Sequence, residues 1–121
     1  LKIKIVALDK KASRACRERD DYICQRCGTK HATNSSGLHA AHIMPRRHKN
    51  TRWHLDNLIS LCFGCHRWFD EQRFASAEWM EARIGKEKVI WLRIQANTTW
   101  DKDTYKWKIY LDNELGNKIQ V

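Results

Sequence analysis

The chain has 121 residues, one domain in length, and carries 23 Lys and Arg against 14 Asp and Glu, a formal charge of +9. An excess of this size favours a polyanionic partner, most commonly a nucleic-acid backbone, over a surface that is basic only for solubility. The longest apolar run near the start, Ile5 to Leu8, is far too short for a bilayer span or a signal core. No membrane partner is expected, and the absence of a leader in the sequence points to a cytoplasmic protein with reduced thiols.

Asp9 to Arg19 reads as a helix with Asp9 as its N-cap, ended by Asp20-Asp21. Tyr22 to Gly28 then holds the first knuckle, Cys24-x2-Cys27, and Thr29 to Gly37 is a polar loop. Leu38 to Ile43 is a short apolar run read as a strand and stopped by Pro45. Arg46, Arg47, His48, Lys49 and Arg52 form a basic loop. Asn57 to Cys62 reads as a second strand delivering the second knuckle, Cys62-x2-Cys65, and a helix runs from about Gly64 to Phe74. In the last third, Ser76 caps a helix ending at Gly85, Lys86 to Ala96 is apolar at helical or strand spacing with helix preferred, and Asp101 to Leu115 is helical. Trp79, Trp91, Trp100 and Trp107 are expected in the core rather than as base-stacking platforms.

Each C-x2-C pair lets one short turn offer two thiolates to a single ion, and two pairs complete a closed tetrahedral zinc site. Five cysteines is an odd number, which argues against a disulfide framework. Cys16 is left over and reads as a small core residue. A Cys24, Cys27, Cys62, Cys65 site needs no outside histidine, so His42 and His66 are free for another task. A lone His42 would carry no signal, and its company is what lifts it. His31, His48 and His54 have no such company and read as loop residues.

Hydrolysing a phosphodiester needs an activated water and a means of neutralising charge on the phosphate and leaving oxygen. A neutral imidazole near pH 7 suits the first and a divalent ion the second. The order strand, basic loop, strand, helix, with C-x2-C, A-H-I-x-P and D-N-L-x-x-L-C-x2-C-H along it, resembles the HNH endonucleases, the ββα-metal nucleases. Within them it is similar to the zinc-knuckle branch that includes phage endonuclease VII. The resemblance covers about Arg14 to Phe74, and the C-terminal third adds little to it.

The resemblance implies an α+β fold: a small ββα-metal core (about 20–75) stapled by a four-cysteine zinc site, with an N-terminal helix and additional C-terminal helices (about 76–121) in one domain over 1–121. It implies a DNA endonuclease that leaves 5′-phosphate and 3′-hydroxyl ends. His42 is the expected general base. Asn57 orients that imidazole or holds the hairpin, and His66 binds the catalytic ion, Mg²⁺, Mn²⁺ or another divalent metal. The family places Asp or His directly before the base. Ala41 stands there and cannot bind metal. His39, on the same strand face as position 41, or Asp70, one helical turn after His66, is the expected replacement. The loop bearing Arg46, Arg47, Lys49 and Arg52 is expected on the DNA. A homodimer fits an enzyme whose single centre cuts one strand. The rival expectation is a zinc module that binds nucleic acid but, lacking a ligand at Ala41, does not cleave.

Overall fold

A computed structural model describes residues 1–116. The expected domain end at 121 and helical extension to 121 therefore run into residues 117–121, outside the described part. The fold is mixed helix and strand, built on one antiparallel hairpin. Strand β1 (Leu38–His42) pairs with β2 (Leu58–Cys62) in the register Leu38 with Cys62, Ala40 with Ser60 and His42 with Leu58. Helices α1 (Ile5–Arg19), α2 (Lys49–Arg52), α3 (Phe63–Glu71), α4 (Arg73–Ile84), α5 (Lys86–Ala96) and α6 (Thr104–Glu114) surround it, with a 3₁₀ turn at Leu55–Asn57.

Helix α1 begins four residues before Asp9, which therefore lies inside it and caps nothing. Its buried positions Leu8, Ala12, Ala15 and Cys16 recur at helical spacing and form one face. After α1 the chain reverses through Asp21 and Tyr22, both in the left-handed region (φ 54° and 58°). Non-glycine residues enter that region only when neighbours hold them there, as the Tyr22 amide does by donating to the Arg17 carbonyl at 2.9 Å.

The outer edge of β2 is closed by this segment. The Ser60 amide donates to Asp20 Oδ2 at 3.0 Å, Gln25 N donates to the Ser60 carbonyl at 2.9 Å, and Arg19 Nη2 reaches the Leu58 carbonyl at 2.7 Å. The outer edge of β1 carries no strand among the described residues.

The hairpin separates two apolar cores. One gathers Leu8, Ala12, Ala15, Cys16, Leu58, Trp107 and Leu111 around Trp53, which has no exposed surface. The other packs Leu38, Ala41, Ile59 and Leu61 against Cys24, Cys65 and Met80. Cys16 is fully buried, as a core residue should be, and burial pushes its thiol up to about 11. Of the four tryptophans expected inside, Trp107 is buried, Trp79 and Trp100 are half-buried and Trp91 is exposed. Trp53 takes the central place because α2 lays it against Trp100 and Trp107, with ring centroids 6.4 and 6.0 Å away. His54, expected in a loop, is half-buried among Trp91, Trp107 and Tyr110.

Several boundaries move. The basic loop contains the one-turn helix α2, Asn57 belongs to the 3₁₀ turn, and the expected helix from Gly64 to Phe74 breaks at Gln72 into α3 and α4. Ser76 lies within α4, its hydroxyl donating to the Arg73 carbonyl. Gly85, at φ 91°, supplies the left-handed turn from α4 to α5. Helix α5 spans the expected residues, and α6 is capped by Asp103, whose Oδ1 accepts from Lys106 N at 3.1 Å.

Candidate active site and metal centre

The two knuckles meet at the mouth of the second core. The ligand sulfurs of Cys24, Cys27, Cys62 and Cys65 all lie within 4.8 Å of one another, and none is in a disulfide. Cys27 Sγ and Cys62 Sγ are 3.8 Å apart. A tetrahedral zinc with bonds of about 2.3 Å separates its sulfurs by ~3.8 Å, so the cluster fits that ion. In the first knuckle Gly28, at φ 80°, donates to the Cys24 carbonyl at 2.8 Å and so turns Cys27 back toward Cys24. In the second, Cys62 caps α3, its sulfur accepting from Cys65 N at 3.4 Å.

The thiols sit in unlike surroundings. Hydrogen bonds from Thr29, side chain and backbone, pull Cys27 down to about 6, and burial pushes Cys65 up to about 12. Arg26 stacks over Trp68 at 3.6 Å and points Nη1 at Cys65 Sγ from 3.5 Å. That places a cation beside a cluster which is anionic once its thiols ionise.

On the same side of the hairpin, β1 and α3 bring His39 and His66 together, with their Nδ1 atoms 2.9 Å apart. One nitrogen of such a pair donates and the other accepts, or both offer lone pairs to one ion. Two cis ligands of an octahedral ion with bonds of ~2.1 Å are ~3 Å apart, so the pair fits a divalent metal. Asp70 approaches the far side of the ring, with Oδ2 3.5 Å from His66 Nε2. It does not converge with His39, and among the described residues these three form no cluster like that of the cysteines. Burial pushes the His66 imidazole below its ordinary value despite the pull of Asp70, and His39 adds to the lowering. Phe63, 65% exposed, and Arg67 share the rim of this pocket.

His42 points the other way. Side chains alternate along a strand, and His42 shares the Leu58 side of the hairpin while His39 shares that of Leu61. Its pocket is lined by Asp9, Ala12, Ser13, Ala40, Arg46, Arg52 and Leu58, none of which lines the His39–His66 pocket. Its Nε2 is 3.0 Å from the Arg52 carbonyl. A carbonyl only accepts, so neutral His42 carries its proton on Nε2 and its lone pair on Nδ1. Burial, more than the nearby Arg46, lowers its pKa, against the raising effect of the Arg52 carbonyl. Burial therefore favours the neutral form of the ring.

Asn57 is fully buried and spends its whole amide on one residue. Its Oδ1 accepts from Met44 N at 2.7 Å and its Nδ2 donates to the Met44 carbonyl at 3.1 Å. With the Ile43 amide bonded to the Asn57 carbonyl, it closes the turn after β1 and has no hydrogen bond with His42.

The basic residues divide as well. Arg46 and Arg47 are exposed, and Lys49 Nζ lies 5.1 Å from the Trp100 ring. Arg52 is not a free cation: it forms a two-point pair with Asp9, Nε to Oδ1 at 2.9 Å and Nη2 to Oδ2 at 2.7 Å. Nothing local in the sequence announces this contact across 43 positions.

Among the described residues no helix is long and apolar enough to cross a membrane. No curated protein and no solved structure matches the chain. Residues 24–68, from the first zinc-knuckle cysteine to Trp68 on α3, match the family model described as HNH endonuclease, and the four-cysteine cluster fits the zinc-knuckle variant of that domain.

Proposed function

We propose that the chain is a metal-dependent DNA endonuclease that hydrolyses phosphodiester bonds and leaves 5′-phosphate and 3′-hydroxyl ends. The observation that carries this reading is the HNH match over 24–68, which spans His42, Asn57 and His66. His42 takes a proton from the attacking water at Nδ1, the nitrogen left free by the Arg52 carbonyl. Asn57 holds the turn that follows His42. His66 and His39 are the protein ligands of one divalent ion, and Asp70 orients His66 from its other nitrogen. That ion, when bound, stabilises negative charge on the phosphate and the departing oxygen.

The four cysteines hold a structural zinc, which requires the reduced thiols of a cytoplasmic setting. Arg46, Arg47 and Lys49 meet the DNA backbone, with Arg52 beside them. Residues 1–121 act as one nuclease domain, and a second copy supplies the cut in the opposite strand.

Two observations favour a second reading, a zinc module that binds nucleic acid without cutting it. Ala41 is buried without a ligand atom, and His42 and His66 line separate pockets. Incubation of supercoiled plasmid with Mg²⁺, Mn²⁺ or EDTA separates the two. The nuclease reading expects nicked or linear product with a divalent metal and none with EDTA. It also expects a loss of ~10²–10⁴ in rate for His42→Ala, with zinc and DNA binding retained. A wild-type protein that cuts nothing with any divalent metal would leave the non-cleaving module.

A further inference from the structure

We propose that Asp9, on α1 and outside the HNH-matched segment, is a positioning residue for His42, acting through Arg52. The inference rests on the reading of His42 as the base. Asp9 grips two consecutive residues. It takes the two-point pair from Arg52, and its Oδ1 also accepts from Trp53 Nε1 at 2.8 Å. Those residues end α2, a single turn whose last carbonyls have no partner within the helix. One of them, that of Arg52, is the acceptor for His42 Nε2 at 3.0 Å. By holding the Arg52 and Trp53 side chains, Asp9 fixes where that carbonyl points and hence which imidazole nitrogen stays free.

The pair also sets the charge around the ring. The charged groups facing His42 are Asp9 from α1, Arg46 from the loop and Arg52 from α2. An unpaired guanidinium at Arg52 would oppose the imidazolium that forms when His42 accepts a proton, and the Asp9 carboxylate offsets it. Asp9 is itself held in its charged form: burial would raise its pKa, but the hydrogen bonds from Arg52 and Trp53 outweigh that and lower it. A bond that only fastened α1 to α2 would need no histidine against the Arg52 carbonyl.

The test is the titration of the His42 ring nitrogens by ¹⁵N NMR in the full zinc-loaded chain, read beside plasmid cleavage. In Asp9→Asn the carboxylate is gone and Arg52 is uncompensated, so the His42 midpoint should fall below that of wild type. In Arg52→Gln the carbonyl remains, the guanidinium is gone and Asp9 is unpaired, so the midpoint should rise. Cleavage by Asp9→Asn should drop roughly tenfold in kcat at unchanged KM, as expected for a displaced base. A His42 midpoint equal to wild type in both folded variants overturns the proposal. If Asp9→Asn does not fold, Arg52→Gln decides alone, an unchanged midpoint counting against it. Because the titration does not depend on cutting, an inactive wild type would sink the reading of His42 as a base, while the titration would still show separately whether Asp9 acts on its ring.

Discussion

His39 Nδ1 lies 2.9 Å from His66 Nδ1, across the space between β1 and the first turn of α3. Two imidazoles meeting at that distance suit borderline transition metals better than Mg²⁺, which prefers oxygen ligands. Cleavage should therefore be faster with Ni²⁺, which imidazole ligands favour, than with Mg²⁺ at equal concentration. His39→Ala should raise the Mn²⁺ concentration for half-maximal rate. Asp70→Ala, which removes only the group behind His66, should raise it by no more than ~10–100-fold. A metal titration in which His39→Ala matches wild type would remove His39 from the ligand set.

A zinc ion held by the four cysteines would be coupled to folding. Cys24 and Cys65 belong to the second core, and binding energy at such a site is folding energy. Cys24→Ser should lower zinc content well below one ion per chain and abolish cooperative unfolding by circular dichroism. Folded wild-type protein without zinc in elemental analysis would contradict this.

The basic loop should show its division in salt dependence. Each phosphate contact contributes about 0.9 to the slope of log affinity against log salt. Replacing exposed Arg46 and Arg47 together by Ala should flatten the slope by roughly 1.8 if both touch phosphates. Arg52→Ala should change it much less, because Asp9 already neutralises Arg52. Equal slopes for all three proteins would show the loop to be a solvated face.

Trp53 holds the first core together. Its ring has no exposed surface, and its Nε1–H donates to Asp9. Trp53→Ala should cost about 3–5 kcal/mol in denaturant unfolding, the usual range for a buried aromatic. A loss under ~1 kcal/mol would mean that the neighbouring rings close the gap.

Acid should destabilise the protein through its half-buried histidines. Burial pushes His54 below its ordinary value, against the pull of Asp56, and Lys88 adds to the lowering. The folded form then binds fewer protons than the unfolded one between the lowered value and about 6.5, so stability rises with pH across that window and is lost as pH falls through it. With zinc kept saturating, the urea midpoint should be lower at pH 5.5 than at pH 7.5. The difference should shrink in His54→Gln, and an identical difference would show that His54 contributes nothing.

The amino-acid sequence by itself determined what depends on neighbours in the chain. The C-x2-C spacings formed the four-sulfur cluster, the apolar runs around Ala40 and Ser60 formed the hairpin, and Gly85 marked a helix end through its backbone freedom. Strand alternation was enough to place His39 on the face of position 41, with Asp70 left as the other candidate. What only the tertiary structure decided lies in contacts between distant positions. Asp9 looked like a helix cap until α2 presented Arg52 and Trp53 to it. Trp53 lies in a basic stretch with no apolar pattern around it, and it became the centre of a core because α6 closed over it. Asn57 could have served His42 or the turn, and the Met44 backbone took both ends of its amide. Strand parity set His42 and His39 on opposite faces, but only the packing of α1 against one face and α3 against the other decided which charged groups each would meet. A sequence pattern records which side chains share an element face, and the partner waiting across that face is chosen by how the elements pack.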